Sequence, residues 1–172
     1  MASGLSADVE ASDNVWTLLK ARLPWLMIGM VGGIFGAKVI EVYEGELQLY
    51  PELALFIPLI AAMGGNVGIQ SSAIIVQSLA SNSLGIESNM KKLLKELGVA
   101  LLNGLSLAIV LLMYNLIDND SLPLTITVSV SLVAVILFAS VFGTFVPLGL
   151  HRIKIDPALA TGPFITTVND IM

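Results

Sequence analysis

The stretch FIPLIAAMGGNVGIQSSAIIVQSLA (residues 56–80) is apolar enough to lie in a bilayer, yet it carries three glycines and three amides. Asn66, Gln70, Ala73 and Gln77 fall at i, i+4, i+7 and i+11, which on a helix is one face. Three amides on one stripe cannot all face lipid cheaply. They either hydrogen-bond to neighbouring helices or line a water-filled path, and the residues alone leave both open. Gly64, Gly65 and Gly68, with Ala61, let a neighbouring backbone approach closely. Pro58 deprives the carbonyl of Ala54 of its helical donor and predicts a bend.

The rest of the chain agrees with a membrane setting. Of the 172 residues, 56% are hydrophobic and 12% charged, and the mean hydropathy is +0.90. Soluble domains carry about 25% charged residues, so this is an all-α integral membrane protein of several spans. With no cysteine, disulfides, thiolate metal sites and thiol catalysis are excluded. A pI near 4.6 offers no basic surface for a nucleic acid. No nucleophile–base pair, phosphate loop, zinc signature or dinucleotide fingerprint appears, so an enzyme is not expected. The first 14 residues hold acids and no base, unlike a cleavable signal peptide.

About five helices are expected. Residues 1–22 form a tail and a short amphipathic helix, capped by Asn14 or Asp13 and carrying Val15, Leu18, Leu19 and Leu23. A transmembrane domain then occupies residues 23–172. Its spans run over 24–43, 53–79, 98–117, 124–150 and from Pro157 onward. An acidic turn (Glu41, Glu44, Glu46, Glu52) follows the first span, and a polar connection over 80–97, with MKKLLKEL as an interfacial helical turn or two, follows the second. Lys20, Arg22, Lys91, Lys92, Lys95, Arg152 and Lys154 all gather at one side in this arrangement. Only Lys38 falls toward the other side, where it can snorkel. The positive-inside rule then puts the N-terminus in the cytoplasm of a multi-pass cell-membrane protein.

The fifth segment contains DPALATGPFITTVND (residues 156–170), and only 16 residues run from Pro157 to Met172. A span needs about 20, so this helix is short or truncated. Asp156 and Asp170 are fourteen residues apart and share nearly one face, about 21 Å apart on a helix. Asp156 before Pro157 also suits an N-cap with proline at N1. A deep aspartate costs about 2.5–3.5 kcal/mol on the gentlest insertion scale, so Asp170 is expected to have a function. Thr166 and Thr167 lie one turn before it and Gly162 and Pro163 two turns before it. These are oxygen ligands and weakened backbone, the chemistry of hard cations such as magnesium. His151 sits in a basic turn and reads as a surface residue.

Two patterns, P-L-I-x-x-M-G-G-N-x-G-x-Q (58–70) and D-P-A-x-x-x-G-P-x-x-T-T-x-x-D (156–170), occur in this order. Together with residues 143–155 the sequence resembles the membrane domain of the MgtE family of magnesium channels and transporters. The resemblance implies a homodimer in the lipid bilayer with a cation path at its two-fold axis, lined by the second and fifth helices. It makes Asp170 the carboxylate that faces its copy across a largely hydrated Mg2+. Asn66 is expected on the pore side and Asp156 at the cytoplasmic end. Asn66 and Thr166 would then bond to the water shell, with Gln70, Gly162 and Pro163 lining the path, and Gly64, Gly65 and Gly68 packing helices. No cofactor is expected, Mg2+ being the cargo, and no nucleic acid. Two departures stand out: Gln77 replaces an arginine common in the family, and Gly162 replaces a coordinating amide of some relatives. A proton- or sodium-coupled exchanger using Asp170, or a non-transporting scaffold, is the alternative function.

Overall fold

The computed structural model describes residues 13–81, 86–118, 121–154 and 157–171, and all its regular structure is helical. In order these are α1 (Val15–Val42), α2 (Glu44–Leu49), α3 (Glu52–Ala80), α4 (Ile86–Ile117), α5 (Leu122–Arg152) and α6 (Pro157–Ile171). Four helices, α1, α3, α4 from Leu93, and α5, are long and apolar enough to cross a membrane. The fifth expected span is α6, whose 15 residues come to about 22 Å at 1.5 Å each. It is shorter than the roughly 30 Å hydrocarbon layer.

Three local expectations change. The amphipathic helix and the first span are one helix, with no break at residues 22–23. Asn14 caps it, its side-chain oxygen accepting from Thr17 N at 3.0 Å, and Pro24 lies inside it. An interior proline costs about 3 kcal/mol, but a break in an apolar setting would strand several backbone groups. Carrying the helix through is therefore the cheaper choice. The expected polar connection before the third span is instead largely the start of α4. MKKLLKEL contains only strong helix formers, so nothing stops the helix there. In the acidic turn, residues 44–49 form the short helix α2, with Glu44 and Glu46 at its N-terminal end, where negative charge is favoured.

The helix α5 is the centre of the bundle. It packs against α3, α4 and α6, and its Val128, Leu132 and Ile136 join Phe56 of α3 with Ala100 and Leu111 of α4 in the core. Small residues set the α3–α5 distance. A Cβ on Gly143 would overlap the carbonyl oxygen of Gly68 and come within 3.0 Å of Ser71 Cβ. The outer helix α4 rests mainly on α5, and α1 mainly on α6. Large apolar side chains stay exposed on α1 and α4, among them Ile34, Phe35, Leu102 and Ile109. That suits helices whose outer faces meet lipid.

One buried group is unusual. Asn115 of α4 is wholly buried, and neither its amide nitrogen nor its oxygen has a hydrogen-bond partner among the described residues. It lies one turn beyond the core residue Leu111.

Candidate functional site

The two sides of α3 have opposite characters. Gly64, Gly68, Ser71, Ser72 and Ile75 are buried against the chain itself, whereas Asn66, Gln70, Ala73 and Gln77 are exposed. Among the described residues the amides make no side-chain hydrogen bond to another helix of the chain. They form a polar strip on its outside.

The glycine side of α3 receives α6. A Cβ at Gly64 would collide with the Asn169 side-chain oxygen and come to 2.6 Å from Val135 Cγ1. At Gly68 a Cβ would lie 2.6 Å from Ile165 Cγ2. Gly65 is largely free, with only the Asn169 amide nitrogen at 4.0 Å. Asn169 closes this seam: its Nδ2 donates to the carbonyl oxygen of Ala61, while its buried oxygen has no partner among the described residues. On another side of α6, Thr167 fills the place where Gly32 of α1 lacks a side chain. The short helix is thus held from both sides by glycines on its neighbours.

Thr166 is exposed, and its hydroxyl donates to the carbonyl oxygen of Gly162 at 3.2 Å. Gly162 is half-buried and no atom lies within 4 Å of a Cβ placed there. Between α3 and α6 runs a cavity of about 310 Å³ whose lining includes Ile69, Ser72, Ala73, Gly162 and Ile165. It brings Ala73 of the amide strip beside Gly162 of the fifth segment. Asp170 occupies the last turn of α6, four residues after Thr166. The side chains of Asp170 and Pro163 lie outside the described ones, and Asp156 lies outside the described residues altogether. Among the described residues, no three His, Cys, Asp or Glu side chains come together as a metal cage.

Residues 57–172 match the family described as MgtE, divalent cation transporter. The chain belongs to the MgtE family. Its relatives include proteins named magnesium transporter MgtE from Thermus thermophilus and Bacillus subtilis. The first is 35% identical over 88% of this chain, the second 28% over 96%. A third, of the same name from Enterococcus faecalis, is 32% identical over 98% of the chain. The chain spans 37%, 33% and 38% of the B. subtilis, T. thermophilus and E. faecalis proteins. The MgtE match covers α3 to α6 from Ile57 onward, the helices that form the amide strip and the seam just described.

Two residues of this region escape sequence reasoning. Asn169 looks like a neighbour of Asp170, and only the fold shows that it ties α6 to α3. Glu96 is hidden in a run of lysines. Its carboxylate accepts a hydrogen bond from Ser71 Oγ at 2.7 Å, on the packed side of α3. An acid within the apolar stretch that starts at Leu93 was the available signal.

Proposed function

We propose that this chain moves a divalent cation, foremost Mg2+, across a membrane along a path between two copies of itself. The observation that carries the reading is the exposure of Asn66, Gln70 and Gln77 on a span whose opposite face is packed. Against lipid each amide would forfeit its hydrogen bonds at a cost of several kcal/mol. Against a second copy, the two strips would enclose water instead.

The chemistry of the strip fits the ion. Magnesium sheds water reluctantly and usually keeps several waters. Amide and hydroxyl oxygens such as those of Asn66, Gln70 and Thr166 suit that water shell better than a tight chelate would. Asp170 follows Thr166 by one turn, and two copies would bring a charge of −2 to the axis. That favours a divalent over a monovalent ion. Asp156, Gly162 and Pro163 belong to the wall nearer the basic end. The basic residues Lys20, Arg22, Lys91, Lys95, Arg152 and Lys154 put the N-terminus on the cytoplasmic side, and Glu41, Glu44, Glu46 and Glu52 then gather cations at the opposite mouth.

Magnesium uptake into proteoliposomes under an inside-negative potential tests the reading. Saturable uptake that is lost in Asp170→Asn, with assembly unchanged, is expected. Equal uptake by the two proteins would take Asp170 out of the mechanism.

A further inference from the structure

Glu96 stands in the first turn of the apolar part of α4, between exposed Lys95 and the buried core. A carboxylate inside a span is costly, and a leucine there would be cheaper. Its partner Ser71 is 2% exposed, and Ser71 Oγ lies 3.4 Å from Ser140 Oγ of α5, itself 1% exposed. Three helices therefore meet at one small polar junction. Since α4 otherwise rests mainly on α5, this hydrogen bond is a directed polar contact from α4 to α3 beside the apolar core they share. Ser71 is next to Gln70, about 100° of helical turn from the amide strip.

We propose that Glu96 is a positioning residue: by holding Ser71 from behind, it fixes the rotation of α3 and so decides which side chains α3 presents to the ion path. This deepens the transport reading above and rests on it. Ser71 Oγ donates to the Glu96 side-chain oxygen at 2.7 Å, well inside the range of a hydroxyl–oxygen hydrogen bond. The glycine contacts at Gly64 and Gly68 set how close α3 lies to its neighbours. Glycines have no side chain with which to resist rotation, whereas a directed hydrogen bond does.

The absence of cysteine from the chain supplies the probe. Single cysteines replace Ala73, on the strip, and Ile74, one residue round the helix and 51% exposed. The thiolate is the reactive form and is suppressed in apolar surroundings. With Glu96 intact, a water-soluble methanethiosulfonate should therefore modify position 73 about tenfold faster than position 74. In Glu96→Ala that ratio should fall to within about twofold of one, and Mg2+ uptake should fall about tenfold, the scale of a lost hydrogen bond. Glu96→Gln keeps an acceptor oxygen for Ser71 and should restore both within about twofold. Ser71→Ala removes the donor and should repeat the Glu96→Ala pattern, which covers the case in which that variant does not fold. An unchanged labelling ratio in Glu96→Ala or Ser71→Ala would overturn the proposal, as would Glu96→Gln behaving like Glu96→Ala. Equal labelling at the two positions with Glu96 intact would overturn the path reading itself, and the positioning role with it.

Discussion

Gly143 is where the bundle has least room, and its replacement by alanine gives a signed, quantitative test of the packing. A Cβ there would overlap the Gly68 carbonyl oxygen, with Gly68 C at 3.1 Å and Ser71 Cβ at 3.0 Å. Carbon atoms prefer about 3.5–4.0 Å, so α3 and α5 must part by about 0.5–1 Å. Overpacking of this kind costs about 1–3 kcal/mol. Because the obstacle is backbone, no side chain can rotate away, which places this site toward the upper end. Alanine returns about 1 kcal/mol in helix propensity. The net loss is then about 1–2 kcal/mol, or about 2–8 °C in Tm for a chain of this size. The same substitution at Gly104 should have the opposite sign. Its Cβ would meet Val133 Cα at 3.5 Å and Ile136 Cγ2 at 3.6 Å, ordinary contacts, so only the propensity gain remains. Thermal unfolding in detergent, followed by the fluorescence of Trp16 and Trp25, reads both variants. A Gly143→Ala protein as stable as Gly104→Ala would refute the close α3–α5 contact.

Three further outcomes follow from single contacts. Asn169→Ala removes the hydrogen bond to Ala61 and should cost about 1 kcal/mol, with slower Mg2+ uptake; unaltered Tm and uptake would contradict its role in seating α6. A Cβ at Gly32 would collide with Thr167, whereas one at Gly29 meets nothing within 4 Å, so Gly32→Ala and Gly29→Ala form a matched pair. Limited proteolysis should therefore cut the α1 region faster in the first variant only, and equal rates would argue against α1 resting on α6. Asn115→Leu replaces a buried amide without hydrogen-bond partners among the described residues by an apolar group of similar size. It should raise Tm by about 2–8 °C, from about 1–2 kcal/mol of relieved desolvation; a lower Tm would mean that the amide is satisfied in the folded protein.

The sequence made the membrane class legible because the apolar runs are long and the charges few. The strip of Asn66, Gln70, Ala73 and Gln77 could be read from spacing alone, since helical periodicity fixes which residues share a face. Whether that strip was buried or exposed could not, because an amide serves equally as interhelical glue and as the wall of a wet path. The glycines were ambiguous in the same manner: only the fold shows that Gly64 and Gly68 receive α6 while Gly65 stays nearly free. Boundaries misled where polar composition suggested a separate connection. MKKLLKEL, expected as an interfacial helical turn or two, contains no helix breaker, so α4 starts before it and runs on into the span, and Pro24 lies in a helix that has strong reasons to continue. Asn169 and Glu96 were missed because their roles depend on partners 108 and 25 residues away in the chain.

The central claim is that the exposed amide side of α3 is the wall of a wet path shared by two copies. A single cysteine at Asn66 tests it most directly, by disulfide cross-linking between copies in the membrane with and without Mg2+. The account predicts a cross-linked dimer on mild oxidation, and modification by a water-soluble thiol reagent that millimolar Mg2+ slows and Na+ does not. A cysteine that neither cross-links nor reacts would place this side of α3 against lipid and contradict the account.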